Sequence, residues 1–171
     1  MTVLSNLEAW QTALRSRGAA RPGLLALDVS KRALGLAGAD AGWRLATPLL
    51  TIRRRRWAQD LARLDLVVRE RAAGALVVGW PLNMDGSEGP RCQSVRAFAA
   101  ALALERGLPI RLWDERLTTF AAAEAADQAG LHGKRRAEML DALAAAAILQ
   151  DALDALARSA GRAAGERRPE A

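Results

Sequence analysis

The chain has 171 residues, of which 51% are hydrophobic and 26% charged, a composition typical of one globular domain. No apolar run approaches the roughly 20 residues that a membrane span needs, and the start of the chain lacks a signal-peptide pattern, so we expect a soluble, cytoplasmic protein. One cysteine and one histidine exclude a disulfide framework and a Cys/His zinc site within one chain, and a net charge of +6 favours polyanionic partners unless it reflects compositional bias.

The first half of the chain predicts a helix or arm, three strands and a helix. Residues 1–22 carry apolar positions at near-helical spacing and end at a Pro-Gly breaker, which predicts a peripheral helix or a loose arm. The short runs 24–30, 33–40 and 42–52 are separated by polar or glycine turns and predict an antiparallel meander. Residues 57–74 repeat apolar positions every three or four residues and predict a helix.

The second half alternates strands and helices. We predict strands over 75–82 and 108–115, helices over 92–107, 118–130 and about 137–157, and an exposed basic loop over 131–136. The order βββαβαβαα predicts an α/β fold: a mixed sheet, with an antiparallel three-strand meander followed by parallel strands, flanked by helices. One domain is expected over 23–158, between the N-terminal extension 1–22 and a disordered tail over 159–171.

Two carboxylate positions follow apolar runs of strand length. Asp28 ends the run 24–27, where it either caps the following turn or belongs to a functional site. Asp114 and Glu115 stand before Arg116, where an acidic pair is either a local ion pair or part of a metal site. These residues alone leave both alternatives open.

A third carboxylate lies on an apolar helix face. Asp141 shares a stripe with Ala145, Ile148 and Ala152 on the predicted last helix. Burying an unpaired charge is costly, so an acid on this face needs a partner. The helix macrodipole, worth about 0.3–1 kcal/mol, explains an acid near the start of the helix but not its face.

Together, Asp28, Glu115 and Asp141 suggest an oxygen-only site for Mg²⁺ or Mn²⁺, the hard cations that carboxylates suit. Two such ions about 3.5–4 Å apart activate a water molecule and stabilise the leaving oxygen of a phosphodiester. A nucleic-acid substrate would also agree with the positive net charge.

Several polar and basic segments near these acids are candidates for phosphate contacts. The glycine-rich loop 83–89 offers backbone N–H groups or is a plain connection, and the arginine run 53–56 tracks a phosphate backbone or is a solvated helix start. Basic residues in 133–136 precede the Asp141 helix, whereas His132 is expected at the surface. The side chains predicted to contact nucleic acid are Lys31, Arg32, Asn83, Arg116, Lys134 and Arg135.

Four blocks in this order resemble the YqgF/RuvX family, provisionally described as pre-16S rRNA nucleases and as Holliday junction resolvase-like proteins. The blocks are LALDVSKRALGLAGAD, LVVGWPLNMDGSEGPRCQSVRAFA, LWDERLTTFAAAEA and LDALAAAAILQDAL. The resemblance covers about 24–156 and implies an RNase H-like fold. It places the family acids on Asp28, Glu115 and Asp141, with Asp28 as the central ligand that bridges the ions. Asp114 would support Glu115, and Arg116 would orient the pair or meet a phosphate.

The resemblance implies a metal-dependent nuclease that processes the 5′ end of the small-subunit rRNA precursor, as a monomer or homodimer without a membrane partner. A resolvase of four-way DNA junctions is the first alternative and favours a dimer, because two symmetric cuts need two sites. A non-catalytic ribosome-assembly factor that binds nucleic acid is the second. The chain departs from the family pattern at Ser30 and Trp80, both expected near the site. If the substrate must approach the backbone closely there, a side chain at residue 30 narrows its approach to Asp28.

Overall fold

The structure is a computed structural model that describes residues 3–4, 6–16, 21–116 and 118–165; within these ranges it gives the backbone alone for 118–121, 123, 134, 135, 137, 138 and 163–165. The strands are β1 (Val3–Leu4), β2 (Gly23–Val29), β3 (Ala33–Ala39), β4 (Ala46–Arg53), β5 (Ala73–Trp80) and β6 (Ile110–Asp114). The helices are α1 (Leu7–Arg15), α2 (Trp57–Glu70), α3 (Pro90–Arg106), α4 (Thr118–Gln128) and α5 (Gly133–Gly165). The strands form one sheet in the order β1-β6-β5-β2-β3-β4.

The predicted antiparallel meander is confirmed in β2, β3 and β4. Asp28 lies opposite Gly35 in the first strand pair, and Ala33 lies opposite Arg53 in the second. The carboxylate of Asp40 accepts hydrogen bonds from the backbone N–H groups of residues 42, 44 and 45 and so closes the β3–β4 turn. Local turn chemistry therefore fixes the register that brings the end of β4 next to the start of β3.

Strands β5 and β6 continue the sheet in parallel on the other side of β2. Leu27 pairs with Val78, and Trp80 pairs with Asp114. Every residue of β5 is buried, which accounts for the continuous apolar run of that strand in the sequence. Because β2, β5 and β6 run in the same direction, their carboxyl ends meet at one edge of the sheet, where α/β proteins commonly bind ligands.

One face of the sheet packs against α2 and α3. Leu27, Leu36 and Val78 from the sheet share a core with Leu64 of α2 and Leu102 of α3. Helix α3 ends as predicted at a glycine, since residue 107 adopts a left-handed conformation with φ of 61°. This face holds the larger set of buried side chains and is the main hydrophobic core.

The other face packs against α5 and α1. Trp10 of α1 is fully buried in the same core as Ile148 of α5, and Val3 of β1 pairs with Ile110 of β6. Of the two alternatives for residues 1–22, the structure thus shows a helix, and this helix is part of the core rather than peripheral. A two-residue strand has no periodicity, so no local pattern indicated β1.

Helix α5 is longer than predicted at both ends. It begins at residue 133, so residues 134–136 lie in its first turn instead of an exposed basic loop, and it continues through 165, so 159–165 are helical instead of disordered. Residues 166–171 of the predicted tail lie outside the described residues. Lysine and arginine at the start, and alanine and arginine at the end, are good helix formers and favour the extension on both sides of the predicted limits. No helix of the described chain, including this one, is long and apolar enough to cross a bilayer.

Candidate active site

Asp28 lies near the end of β2 on the sheet face that α5 covers. Side chains alternate between the two faces of a strand, and Leu24 and Ala26 of β2 belong to the core under α5. Leu25 and Leu27 belong to the opposite core. This alternation places the half-buried carboxylate of Asp28 at the edge of the α5 core, at the carboxyl end of the parallel strands.

Gly35 brings α5 close to Asp28. It lies directly opposite Asp28 on β3, and a methyl group built on it would collide with the backbone carbonyl of Asp141. Asp141 is half-buried and faces the sheet, as the apolar stripe predicted, with Ala145 and Ile148 on the same stripe fully buried. The absence of a side chain at residue 35 therefore lets the Asp141 turn of the helix rest on the sheet beside Asp28.

Gly79 makes the matching space on the other side of Asp28. A methyl group built there would collide with Oε2 of Glu115 and would lie 2.7 Å from Cδ1 of Ile148. The backbone N–H of Glu115 donates to the carbonyl of Trp80 at 3.2 Å, which holds the residue against the end of β5. The carboxylate of Glu115 thus turns back over the sheet toward Asp28 instead of following β6 into solvent.

The three acids perturb one another through Asp28. Burial, and then repulsion from Asp141, raise the pKa of Asp28 to about 6. Burial, and then repulsion from Asp28, raise the pKa of Glu115 to about 7. Burial also raises the pKa of Asp141. Desolvation and like charge both disfavour the ionised forms, so the cluster favours a bound proton or cation near neutral pH.

Two arginines oppose these shifts. Arg91, exposed in the first turn of α3, lowers the pKa of both Asp28 and Glu115. Arg53, exposed at the end of β4, lowers the pKa of Asp141. Positive charge therefore faces the acids from both sides, and in both cases it acts less strongly than burial.

The acids are arranged as two pairs around Asp28. Electrostatic repulsion links Asp28 to Asp141 and Asp28 to Glu115. Within the described ranges, no set of three or more His, Cys, Asp or Glu side chains lies close enough to hold one metal ion together. Asp28 is therefore the acid that both of the others approach.

Asp114 binds Arg116. The guanidinium of Arg116 lies 2.6 Å from Oδ2 of Asp114, and its Nε donates to the same carboxylate at 2.8 Å. This bond lowers the pKa of Asp114. The same guanidinium reaches the carbonyl of Met84 at 3.5 Å, so the pair ties the loop 83–89 to the end of β6. Asp114 therefore acts as a local ion pair, one of its two predicted alternatives, while Glu115 turns toward Asp28.

Comparison with known proteins identifies the family of this chain. The family model described as RuvX, Holliday junction resolvase, matches residues 23–155. The chain belongs to the RuvX family. A relative from Roseobacter denitrificans, provisionally named a pre-16S rRNA nuclease, is 53% identical over 133 residues, which are 77% of this chain and 82% of the relative. A Rhodobacter capsulatus relative of the same name is 53% identical over 146 residues, 85% of this chain and 91% of the relative.

The fold is RNase H-like, as predicted. Thermus thermophilus RuvC, solved in complex with a Holliday junction substrate, matches with a TM-score of 0.52 and 20% identity over 81% of this chain and 97% of that one. A second RuvC structure from this organism gives a TM-score of 0.50 at 18% identity, over 80% of this chain and 96% of that one. The RuvX assignment makes the chain a member of a nuclease family, whose members are hydrolases acting on phosphodiester bonds.

The two departures from the RuvX pattern, Ser30 and Trp80, have partners other than the three acids. The hydroxyl of Ser30 accepts the backbone N–H of Ala33 at 3.0 Å and donates to its carbonyl at 3.1 Å, so it closes the hairpin. Trp80 is buried in the α2–α3 core, on the face opposite Gly79, with Arg96 stacked 5.0 Å from its ring centre. The hydroxyl of Ser30 thus bonds within its own hairpin turn, and the narrowing of the approach to Asp28 at residue 30 stays a prediction.

The predicted nucleic-acid contacts divide into three groups. Lys31 and Arg32 are exposed in the β2–β3 hairpin next to Asp28. Asn83 donates to the hydroxyl of Ser87 at 2.9 Å and so shapes its own loop. The side chains of Lys134 and Arg135 lie outside the described residues, and His132 is exposed, as expected.

Sequence reasoning missed Gly35, Gly79 and Arg91. Each glycine interrupts an apolar strand, in ALGLAGA and in AGALVVGW, and an isolated glycine in a strand is a sign of close backbone approach. Arg91 follows the proline that begins α3, and nothing in its local sequence distinguishes it from the other exposed arginines. Its position beside the acids depends on the tertiary fold.

A cavity of about 430 Å³ lies at the other end of β2, near residues 22 and 42–44. Its lining combines Leu14 of α1 with Leu153 and Leu156 of α5, and none of the three acids contributes to it. The acids lie instead at the carboxyl ends of the parallel strands, away from this cavity.

Proposed function

We propose that this protein is a divalent-metal-dependent nuclease that cleaves structured RNA, with the 5′ end of the small-subunit rRNA precursor as its substrate. The observation that carries the proposal is the pairing of Asp28 with Glu115 on one side and with Asp141 on the other, at the open edge of the sheet. The rRNA substrate is taken from the provisional names of the relatives. Such a substrate would place the protein in the cytoplasm.

The donor set fits Mg²⁺ or Mn²⁺. The three side chains supply oxygen ligands alone, and burial makes their ionised forms costly unless a cation compensates them. Asp28 would be common to both ligand pairs, with Glu115 and Asp141 as the second ligands. Such ions supply Lewis acidity toward the attacking water and the leaving oxygen.

The protein's own side chains would set the charge around a bound phosphate. Burial and repulsion from Asp28 make the charge of Glu115 costly, so a bound cation would stabilise its ionised form. Arg91 adds positive charge on the side of Asp28 and Glu115, where it favours the binding of a phosphodiester and the extra negative charge of the transition state. The Arg116–Asp114 pair keeps the loop 83–89 in place beside Glu115.

Cleavage of a 5′-extended rRNA precursor with Mg²⁺, Mn²⁺ or EDTA tests the proposal, with the wild type compared with Asp28→Asn. We expect metal-dependent cutting that falls by at least about 10²-fold in the variant, since one missing charge-stabilising group commonly costs this much. A variant that binds the precursor as well as the wild type would show that folding and binding survive. Equal binding with no cutting by the wild type would leave the non-catalytic assembly factor.

A four-way DNA junction is the second candidate substrate, favoured by the description of the matching family model and by the similarity of the fold to RuvC. Metal ligands and phosphate contacts do not distinguish RNA from DNA unless a 2′-hydroxyl is bound. The junction therefore belongs in the same assay at equal concentration. Symmetric cuts would require a homodimer, which sedimentation of the protein with and without the junction would detect.

A further inference from the structure

The arginine run 53–56 is divided by its tertiary contacts. Arg54 donates to the carbonyl of Ser30 at 2.9 Å, lies 3.9 Å from the buried carboxylate of Asp60, and stacks 5.5 Å from the ring centre of Phe98. The other three arginines of the run are exposed. Arg54 thus fastens the hairpin that follows Asp28 to α2 and α3, while its neighbours remain available to a ligand.

The three exposed arginines form one surface with Lys31 and Arg32 of the β2–β3 hairpin. The backbone N–H of Arg54 donates to the carbonyl of Arg32 at 2.9 Å, and Arg53 pairs with Ala33, so the end of β4 lies against the β2–β3 hairpin. We call this surface the basic edge. Its members are Lys31, Arg32, Arg53, Arg55 and Arg56, all exposed, and none forms an ion pair with another described residue.

The basic edge is continuous with the acids. Lys31 follows Asp28 by three positions, in the turn that closes directly behind it. Arg53 is near enough to Asp141 to lower its pKa. Its neighbour Ile52 faces the α2–α3 core, so the alternation along β4 turns Arg53 toward the face that carries the acids. Arg53 thus acts on one of the acids, as Arg91 does on the other side. Beyond Arg53, a strand that leaves the acids in this direction meets four exposed cations that form no ion pair with another described residue: Lys31, Arg32, Arg55 and Arg56.

The loop on the other side of the acids has its charges neutralised. Arg96 lies 2.8 Å from Glu88, and Arg116 is held by Asp114 at 2.6 Å. Asp85 is exposed there and adds negative charge. Apart from Arg91, whose charge acts on the acids themselves, the described cations on this side are already paired with carboxylates of the protein.

We propose that the basic edge binds the phosphate backbone of the substrate on one flank of the cleaved bond only. Uncompensated arginines gain the full benefit of counterion release, whereas ion-paired arginines must first give up a partner. The protein therefore requires a substrate with several ordered phosphates on one flank and tolerates a short end on the other. The inference rests on the proposed function in taking the three acids as the place of cleavage.

The first test compares two double variants that each lose two positive charges, one just before α2 and one within it. Arg55→Gln/Arg56→Gln removes part of the basic edge, and Arg63→Gln/Arg69→Gln removes two exposed arginines elsewhere on α2. Binding of a fluorescent RNA is measured by anisotropy across a range of salt concentrations. We expect at least about tenfold weaker binding for the first variant, and a slope of log affinity against log salt that falls by about 1 for each phosphate that the variant no longer binds. The control should lie close to the wild type.

The second test uses the cleavage site of the wild type on a structured RNA as a reference point. Nested RNAs are shortened from one flank or from the other, and their affinities for Asp28→Asn are measured so that cleavage does not interfere. One series should lose affinity progressively and the other should not. Arg55→Gln/Arg56→Gln, placed in the same background, should flatten the sensitive series.

Equal loss from both flanks, or equal behaviour of the two double variants, would overturn the one-sided basic edge. The first test does not depend on catalysis. If the wild type cuts no nucleic acid, the two double variants still report whether the basic edge binds RNA, and only the proposed nuclease activity fails. If cutting is normal and both flanks contribute equally, the nuclease stands and this inference fails.

Discussion

Replacing Asp28 with asparagine is expected to stabilise the metal-free protein at neutral pH. Burial and the neighbouring Asp141 raise the pKa of Asp28 from 3.8 to about 6. The folded chain thus holds this proton more tightly than the unfolded chain, so the contribution of Asp28 to stability is full below about pH 4 and is lost as pH rises through about 6. One pKa unit corresponds to about 1.4 kcal/mol, which makes the loss by neutral pH about 3 kcal/mol.

An asparagine at residue 28 has a similar shape and does not titrate. The free energy of unfolding of Asp28→Asn should therefore match that of the wild type near pH 4 and exceed it by about 1–3 kcal/mol at pH 8. The difference should develop between these two pH values. Urea unfolding in EDTA, followed by tryptophan fluorescence at several pH values, measures the difference. Glu70→Gln, at an exposed position at the end of α2, is the matched control and should show no such dependence.

Adding metal provides a second measurement on the same two proteins. A ligand that binds only the folded state at about 100 times its Kd stabilises that state by about 2.7 kcal/mol. Mg²⁺ or Mn²⁺ should therefore raise the stability of the wild type at pH 8 and leave Asp28→Asn nearly unchanged. Two outcomes would refute the idea that the buried charge of Asp28 destabilises the metal-free protein. In one, Asp28→Asn is no more stable than the wild type at pH 8 in EDTA; in the other, its gain in unfolding free energy is the same at pH 4 as at pH 8.

Three further substitutions test the surroundings of the acids. Gly79→Ala should displace the carboxylate of Glu115 and reduce cleavage at least tenfold, at a stability cost of about 1–3 kcal/mol. Gly38→Ala is the control and should keep activity, because its methyl group meets only the ends of two leucine side chains, the nearer at 3.2 Å; cleavage and urea unfolding measure both variants. Arg54→Ala should destabilise the protein by about 1–3 kcal/mol, because the buried carboxylate of Asp60 loses its cation, and thermal unfolding detects this. Trp80→Leu should lower the melting temperature through a core cavity and leave the cleavage rate within about threefold, because its side chain faces away from the acids.

Local patterns predicted the parts of the site that depend on one element. The apolar stripe of the last helix indicated that Asp141 faces the sheet, and the residues of that stripe are buried. The run that ends in Asp28 predicted a strand with an acid at its end, and the meander that follows was correct in order and direction. These predictions succeed because alternation and helical period are properties of a short segment.

The remaining features depend on register between distant segments. The space that Gly35 makes for α5 appears only when residue 35 lies opposite residue 28 and under residue 141. In the run 53–56, one arginine is structural and three are exposed, and the difference comes from partners at positions 30, 60 and 98. The sequence presents four equal arginines, because a local pattern carries no information about which of them has a tertiary partner.

Gly35 and Gly79 also explain why the ionised acids destabilise the metal-free protein. Without side chains at residues 35 and 79, the helix carrying Asp141 and the carboxylate of Glu115 close over Asp28, and burial then becomes the largest cause of every raised pKa in the cluster. A larger residue at either position would open the edge, let water reach the carboxylates and remove part of their destabilisation. It would also weaken the hold of the cluster on a cation, because the same desolvation that penalises bare carboxylates strengthens their attraction to a bound ion. The instability of the metal-free site and its affinity for metal therefore have one structural cause.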